Sequence, residues 1–138
     1  DEEILQVIDS FFANPLPPGD RLQKIIEFAG NSPKVDIVLD PVVAPWMDEQ
    51  LPKLTGGVLL GSYIAGNLQA QLQSNQRQDN PVAGLIRVIE VYQKILAVNP
   101  KHTSPAVEKL MVLHQQGGLA DYVSQGRAKL HSEPPHGK

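Results

Sequence analysis

An all-α fold, arranged as an irregular bundle of five or six main helices, is the architecture this sequence predicts. Three observations carry it. Apolar residues recur at three- and four-residue spacing through most of the chain. Capping residues and prolines stand where such stretches begin, and glycine or proline where they end. Only Val35, Ile37 and Leu39 alternate like a strand, and no second clear strand is present to pair with them. A short α-α superhelix is the alternative arrangement of the same helices.

The elements follow in order. "EEILQVIDSFFANP" places Ile4, Leu5, Ile8, Phe11 and Phe12 on one helix face, with Glu2 and Glu3 at its positive end. Pro15, Pro17 and Pro18 break the chain. Asp20 then opens a second helix carrying Leu22, Ile25, Ile26 and Ala29, which Gly30 ends. "SPKVDIVLD" fits both periods. The lack of a partner strand, and Ser32-Pro33 as N-cap and first helical position, predict a helix. "SPAVEKLM" at Ser104 repeats that opening, but the shared residues are those any helix start favours. Pro41, Pro45 and Pro52 leave room for one short helix near Trp46 to Gln50.

"LTGGVLLGSYIAG", Leu54 to Gly66, is too short to span a bilayer and lacks the lysine of a phosphate loop. Gly57, Gly61 and Ala65 fall at i, i+4 and i+8, a small-residue stripe on a helix from Gly56 to Gln76. Such a stripe serves a close helix crossing within the fold or, as a second expectation, a self-association face. The glutamines that follow read as a solvated amide face, or else as the lining of a polar groove.

Asn80-Pro81 caps a helix from Pro81 to Val98. Val82, Leu85, Ile89, Tyr92 and Leu96 form one apolar face, and Val88, Val91, Ile95 and Val98 a second, which predicts the central helix. Within it, "VIEVYQKILAVNP" resembles the second helix of a tetratricopeptide repeat through Val88, Tyr92, Ile95, Leu96 and Pro100. The resemblance covers half of one repeat. Val88 and Ile95 are larger than the alanines usual there, and no second copy follows at the repeat's period, so membership is not claimed. Two further helices, Pro105 to Gln116 and Leu119 to Leu130, flank Gly117-Gly118 and should pack antiparallel. Positions 1–130 thus read as one domain and 131–138 as a mobile tail without an apolar anchor.

Composition removes several function classes. The formal net charge of −3 offers no field for nucleic acid or anionic lipid. The absence of cysteine excludes thiolate chemistry and cysteine-ligated metal. The four histidines form no HExxH or other close ligand set, so no metal and no cofactor is expected. No nucleophile elbow or dinucleotide fingerprint is present, and no catalytic residue is assigned. A signal or transmembrane segment is not visible either. Cytoplasmic is the expected setting, with whatever precedes Asp1 left open.

The leading expectation is therefore a non-enzymatic module that binds a protein partner or a second copy of itself. Its candidate contact residues are Trp46, an aromatic in a proline-rich stretch, with Gly57, Gly61 and Ala65. Trp46 also has a plainer reading, as a pin holding an irregular segment to the core. The alternative is an enzyme or small-ligand binder whose pocket is assembled only by the fold, from Asp36, Asp40, Asp48 and His114. Asp36 and Asp40 would share a face if their segment were helical, and paired carboxylates can move protons.

Overall fold

A computed structural model of the chain describes residues 1–132. Six helices fill it: α1 (Glu2–Ala13), α2 (Arg21–Asn31), α3 (Lys53–Ser74), α4 (Pro81–Val98), α5 (Pro105–Gln115) and α6 (Leu119–Ser132). A 3-10 turn covers Pro45–Asp48, and no strand occurs among the described residues. No described helix is long and apolar enough to cross a membrane. The fold class is the expected all-α bundle. α6 runs further than expected and takes in His131 and Ser132; the rest of the expected tail lies outside the described residues.

The centre of the bundle is a helix pair. α3 and α4 form a hairpin with the largest interface in the molecule, α1 and α2 pack against α3, and α5 and α6 pack against α4. The expectation of α4 as the single central helix is corrected in this respect. Its two apolar faces are buried as read, with Leu85, Val88, Val91, Tyr92 and Ile95 in the core. Yet α3 has 13 buried residues against seven in α4. α3 hides this role in the sequence because its inward side is built of glycine, serine, asparagine and glutamine as well as aliphatics.

Small residues do set the approach of these helices, but not as one stripe. A Cβ on Gly84 would lie 2.6 Å from the Tyr63 ring and 2.7 Å from the Tyr63 carbonyl oxygen. A Cβ on Gly66 would lie 2.8 Å from the Ala83 carbonyl oxygen. The close α3–α4 crossing therefore uses Gly66 and Gly84. Gly61 admits Leu22 of α2 instead, at 2.0 Å from where its Cβ would stand, while Gly57 is exposed with nothing within 4 Å. The expected stripe of Gly57, Gly61 and Ala65 is thus split. Gly61 and Ala65 are buried inside the fold, and Gly57 faces solvent.

The ends of the helices are closed by long-range side chains. Arg21 donates to the carbonyls of Ser10, Asn14, Pro17 and Pro18, collecting the free acceptors after α1. At α5, Ser104 caps the Val107 amide at 3.1 Å, and the Glu49 carboxylate accepts from the Ser104 hydroxyl and the Ala106 amide. Tyr92 completes this corner, accepting from the Ser104 amide at 2.8 Å and donating to Glu108 at 2.6 Å.

The segment 33–44 departs from expectation most. It is not a helix. Ser32 Oγ accepts from the Lys34 amide two residues on, which makes a turn and not a helix cap. Beyond it the chain crosses the bundle as a strap that is extended over residues 35–40 and turns at 41–43, where the Ala44 N–H donates to the Asp40 carbonyl at 3.1 Å. Val35 and Val43 are buried and Ile37 is half-buried. The strand-like alternation holds for Val35 and Ile37 but not for Leu39, which is 50% exposed. The missing partner strand was no obstacle, because side chains of other elements take its place.

The glycines give a sign test. Gly84→Ala forces a methyl into backbone and ring, and should cost about 1–3 kcal/mol. Gly57→Ala meets open space and should stabilise by up to about 1 kcal/mol through helix propensity. Denaturant titrations of both variants check this. A Gly84→Ala variant as stable as the parent, or more stable, would refute the close crossing at Gly84.

Candidate functional site

The strap is held by a buried polar network, and the network is where the chain concentrates its charge chemistry. Gln71, late in α3, presents its amide to the backbone of Asp36. Its Oε1 accepts from the Asp36 N–H at 2.9 Å and its Nε2 donates to the Asp36 carbonyl at 2.8 Å. A side-chain amide thereby makes the two bonds that a strand neighbour would make. Asn67, one turn earlier, donates to Asp79 Oδ1 at 2.7 Å, and its own oxygen accepts from Gln71 and from the Asn80 amide. Asp79 Oδ1 also accepts from the Val38 N–H at 3.2 Å.

Arg127 of α6 closes the network. Its Nε donates to Asp40 Oδ2 at 2.8 Å, one terminal nitrogen donates to Asp79 Oδ2 at 2.7 Å, and the other donates to the Val38 carbonyl at 3.2 Å. The three side chains are 19%, 11% and 14% exposed for Arg127, Asp40 and Asp79. The second oxygen of Asp40 accepts from the Val42 and Val43 amides and so holds the following turn. Tyr122, on the same helix as Arg127, donates to the Val42 carbonyl at 2.7 Å. Gly126 lets α6 lie on the strap, since a Cβ there would stand 2.8 Å from Val42 Cγ1.

The tyrosines record this burial. Tyr63 lies under the network and is raised above its ordinary pKa by burial first and by the Asp79 charge second. Tyr122 is raised by burial and then by Asp40. At the α5 corner, burial followed by the hydrogen bond to Glu108 pushes Tyr92 up to about 12. Arg127 is held above its usual value by its bonds to Asp79 and Asp40, against a desolvation that acts to lower it.

The residues expected to form a pocket do not meet. Asp40 is bound to Arg127, while Asp36, Asp48 and His114 are exposed on the strap, the 3-10 turn and α5. Asp36 and Asp40 share no helix face, because no helix forms there. No group of three or more histidines and carboxylates with metal-holding geometry occurs among the described residues. His114 is exposed on α5. Trp46 is only 1% exposed, and its indole nitrogen has no hydrogen-bond partner among the described residues. It pins the strap's end to the core and offers no surface to a partner. Gln69 and Gln71 are buried and bonded, so that end of α3 is not simply a solvated amide face; Gln73 and Gln76 are exposed as expected.

Sequence reading missed Asp79, Arg127 and Asn67. One signal was available. Leu119, Val123 and Arg127 fall at i, i+4 and i+8, so the arginine stands on the apolar stripe of α6. A cation in that register needs buried anions.

A second feature is an open groove of about 1010 Å³ between α1 and α2, with Ile4, Val7 and Phe28 among Glu2, Glu3 and Glu27. It contains none of Asp36, Asp40, Asp48 or His114. The lysines at its edge are paired, Lys34 with Asp1 and Lys24 with Asp20. No family model matches the chain, and no similar curated protein or solved structure was found.

Two outcomes follow from the network. Arg127→Leu leaves Asp40 and Asp79 facing each other without a counterion, and should cost about 3–5 kcal/mol at neutral pH. A loss below about 1 kcal/mol in urea denaturation would show that the strap does not need the pairing. At alkaline pH the tyrosines set the direction. Their folded pKa values lie above the unfolded value of 10.0, so both states are neutral below it and the unfolded state ionises first above it. Stability should fall as pH rises past 10, by up to about 1.4 kcal/mol per pH unit for each tyrosine. Tyr92→Phe should flatten that fall between 10 and about 12. Tyrosinate absorbance checks the cause, since a folded-state titration centred at the unfolded value would contradict it.

Proposed function

We propose that this domain is a non-enzymatic protein-interaction module whose contact face is the outer side of the strap. One observation carries the reading. The strap is fixed in place by buried bonds, yet it holds large apolar side chains outward: Val38 is 42% and Leu39 50% exposed. Leu130 stands one turn beyond Arg127 on α6 and is 40% exposed. Arg127 bonds to the Val38 carbonyl, so α6 lies against the strap here. Apolar groups displayed on a pre-ordered backbone lose little entropy on binding, which is the property of a recognition surface. Asp36, Asp40, Asp48 and His114, the residues of the alternative reading, stand on the strap, the 3-10 turn and α5.

The test is comparative capture. Immobilised wild type and a Val38→Asp, Leu39→Asp variant are exposed to lysate of the source organism. The variant should fold with an unchanged circular dichroism spectrum and lose a defined set of the proteins retained by the wild type. Identical sets from the two baits would overturn the assignment of this face.

A further inference from the structure

We infer that the strap accepts an extended segment of a partner protein as an added strand, with a basic residue of that segment opposite Asp36. The inference rests on the reading that a partner binds this face, and it specifies how. In an extended chain the N–H and C=O of one residue point to one edge and those of the next residue to the other. Asp36 and Val38 use both groups inward, on Gln71, Asp79 and Arg127. That pairing at alternate residues is the hydrogen-bond pattern of a strand. It directs the N–H and C=O of Ile37 and Leu39 to the opposite edge, where they bond to no described residue. Next on the same edge the Val35 carbonyl accepts from Arg77 Nε at 3.5 Å, so the unbonded stretch runs from Ile37 to Leu39.

Two donors and two acceptors at period two are the complement of another extended backbone, and strand addition is the recognition mode that uses them. The outward side chains choose the sequence that fits. Val38 is an apolar contact, and Asp36 is exposed with no ion pair among the described residues. A basic residue two positions from an aliphatic one, on the same face of the incoming strand, meets both. A second copy of this chain meets neither. Antiparallel pairing of two straps about Val38 would set Asp36 of one copy against Asp40 of the other, whose carboxylate is already bound to Arg127, so the pairing brings Asp36 no cation.

The experiment uses the full chain, labelled with nitrogen-15, and a capped synthetic octapeptide, Lys-Thr-Val-Thr-Lys-Thr-Val-Thr. Titration should move the Ile37 and Leu39 amide resonances and slow their hydrogen exchange. Methylating alternate backbone nitrogens of the peptide on its bonding edge should abolish both effects. Asp36→Asn should weaken binding by about two- to fivefold, as loss of an exposed ion pair does. A peptide with glutamate for lysine should bind more weakly still. If the methylated peptide binds as well, or the glutamate peptide binds as tightly, strand addition opposite Asp36 is overturned. Comparative capture then decides the interaction face separately, since proteins lost on Val38→Asp, Leu39→Asp would show that the face binds in another way. If no strap amide responds at any peptide concentration, the strand-addition inference fails outright.

Discussion

Arg127 sits between Asp40 and Asp79, and that one half-buried cation ties together parts of the chain that no apolar surface alone would align. It reaches the strap, the α3–α4 turn and α6 at once. Removing a guanidinium from water is costly unless its donors are used, and here they go to two carboxylates and a backbone carbonyl. The planar fork of arginine matters to this arrangement. Lysine carries the same charge but could not hold two separate anions in fixed directions.

From that bond follows the way this fold accommodates non-helical chain in its interior. Residues 35–40 cross a helical bundle with no helix ladder and no strand partner. The inward backbone groups of Asp36, Val38 and Val42 are met by Gln71, Asp79, Arg127 and Tyr122, drawn from α3, the following turn and α6. This explains why α3 carries asparagine and glutamine on its buried side. Gln71 and Asn67 act as backbone substitutes, meeting groups of Asp36 and Asn80, while Gln69 bonds the side chains of Asp9 and Arg87.

The helices were legible because local rules decide them. Asn80-Pro81 and Ser104-Pro105 open helices in the structure, with Asn80 and Ser104 as true side-chain caps. Ser32-Pro33 carries the same signature and opens none. The difference lies 35 residues away, where Gln71 competes for the Asp36 backbone. No local pattern contains that information. The glycine argument was half legible for a similar reason: periodicity in α3 picked out Gly57, Gly61 and Ala65, but which small residue faces which helix depends on the crossing, and the crossing falls at Gly66 and Gly84. The site was least legible of all. Asp36, Asp40, Asp48 and His114 were grouped by type and spacing, whereas Asp40 found its partner in an arginine 87 positions later.

The strap's dependence on distant side chains also orders events during folding. Closing a chain over many residues costs entropy before any contact rewards it, so local structure forms sooner than long-range structure. The α3–α4 hairpin joins neighbours across a short turn and needs nothing else. The strap needs Gln71 at a separation of 35 residues, Asp79 at 41 and Arg127 at 87 to 89. On this basis it settles only after α6 has been made and brought in. During synthesis Val35, Val43 and Trp46 would wait for a helix near the other end of the chain. The same separation makes the strap a natural first unit to come loose, leaving the hairpin intact beneath it.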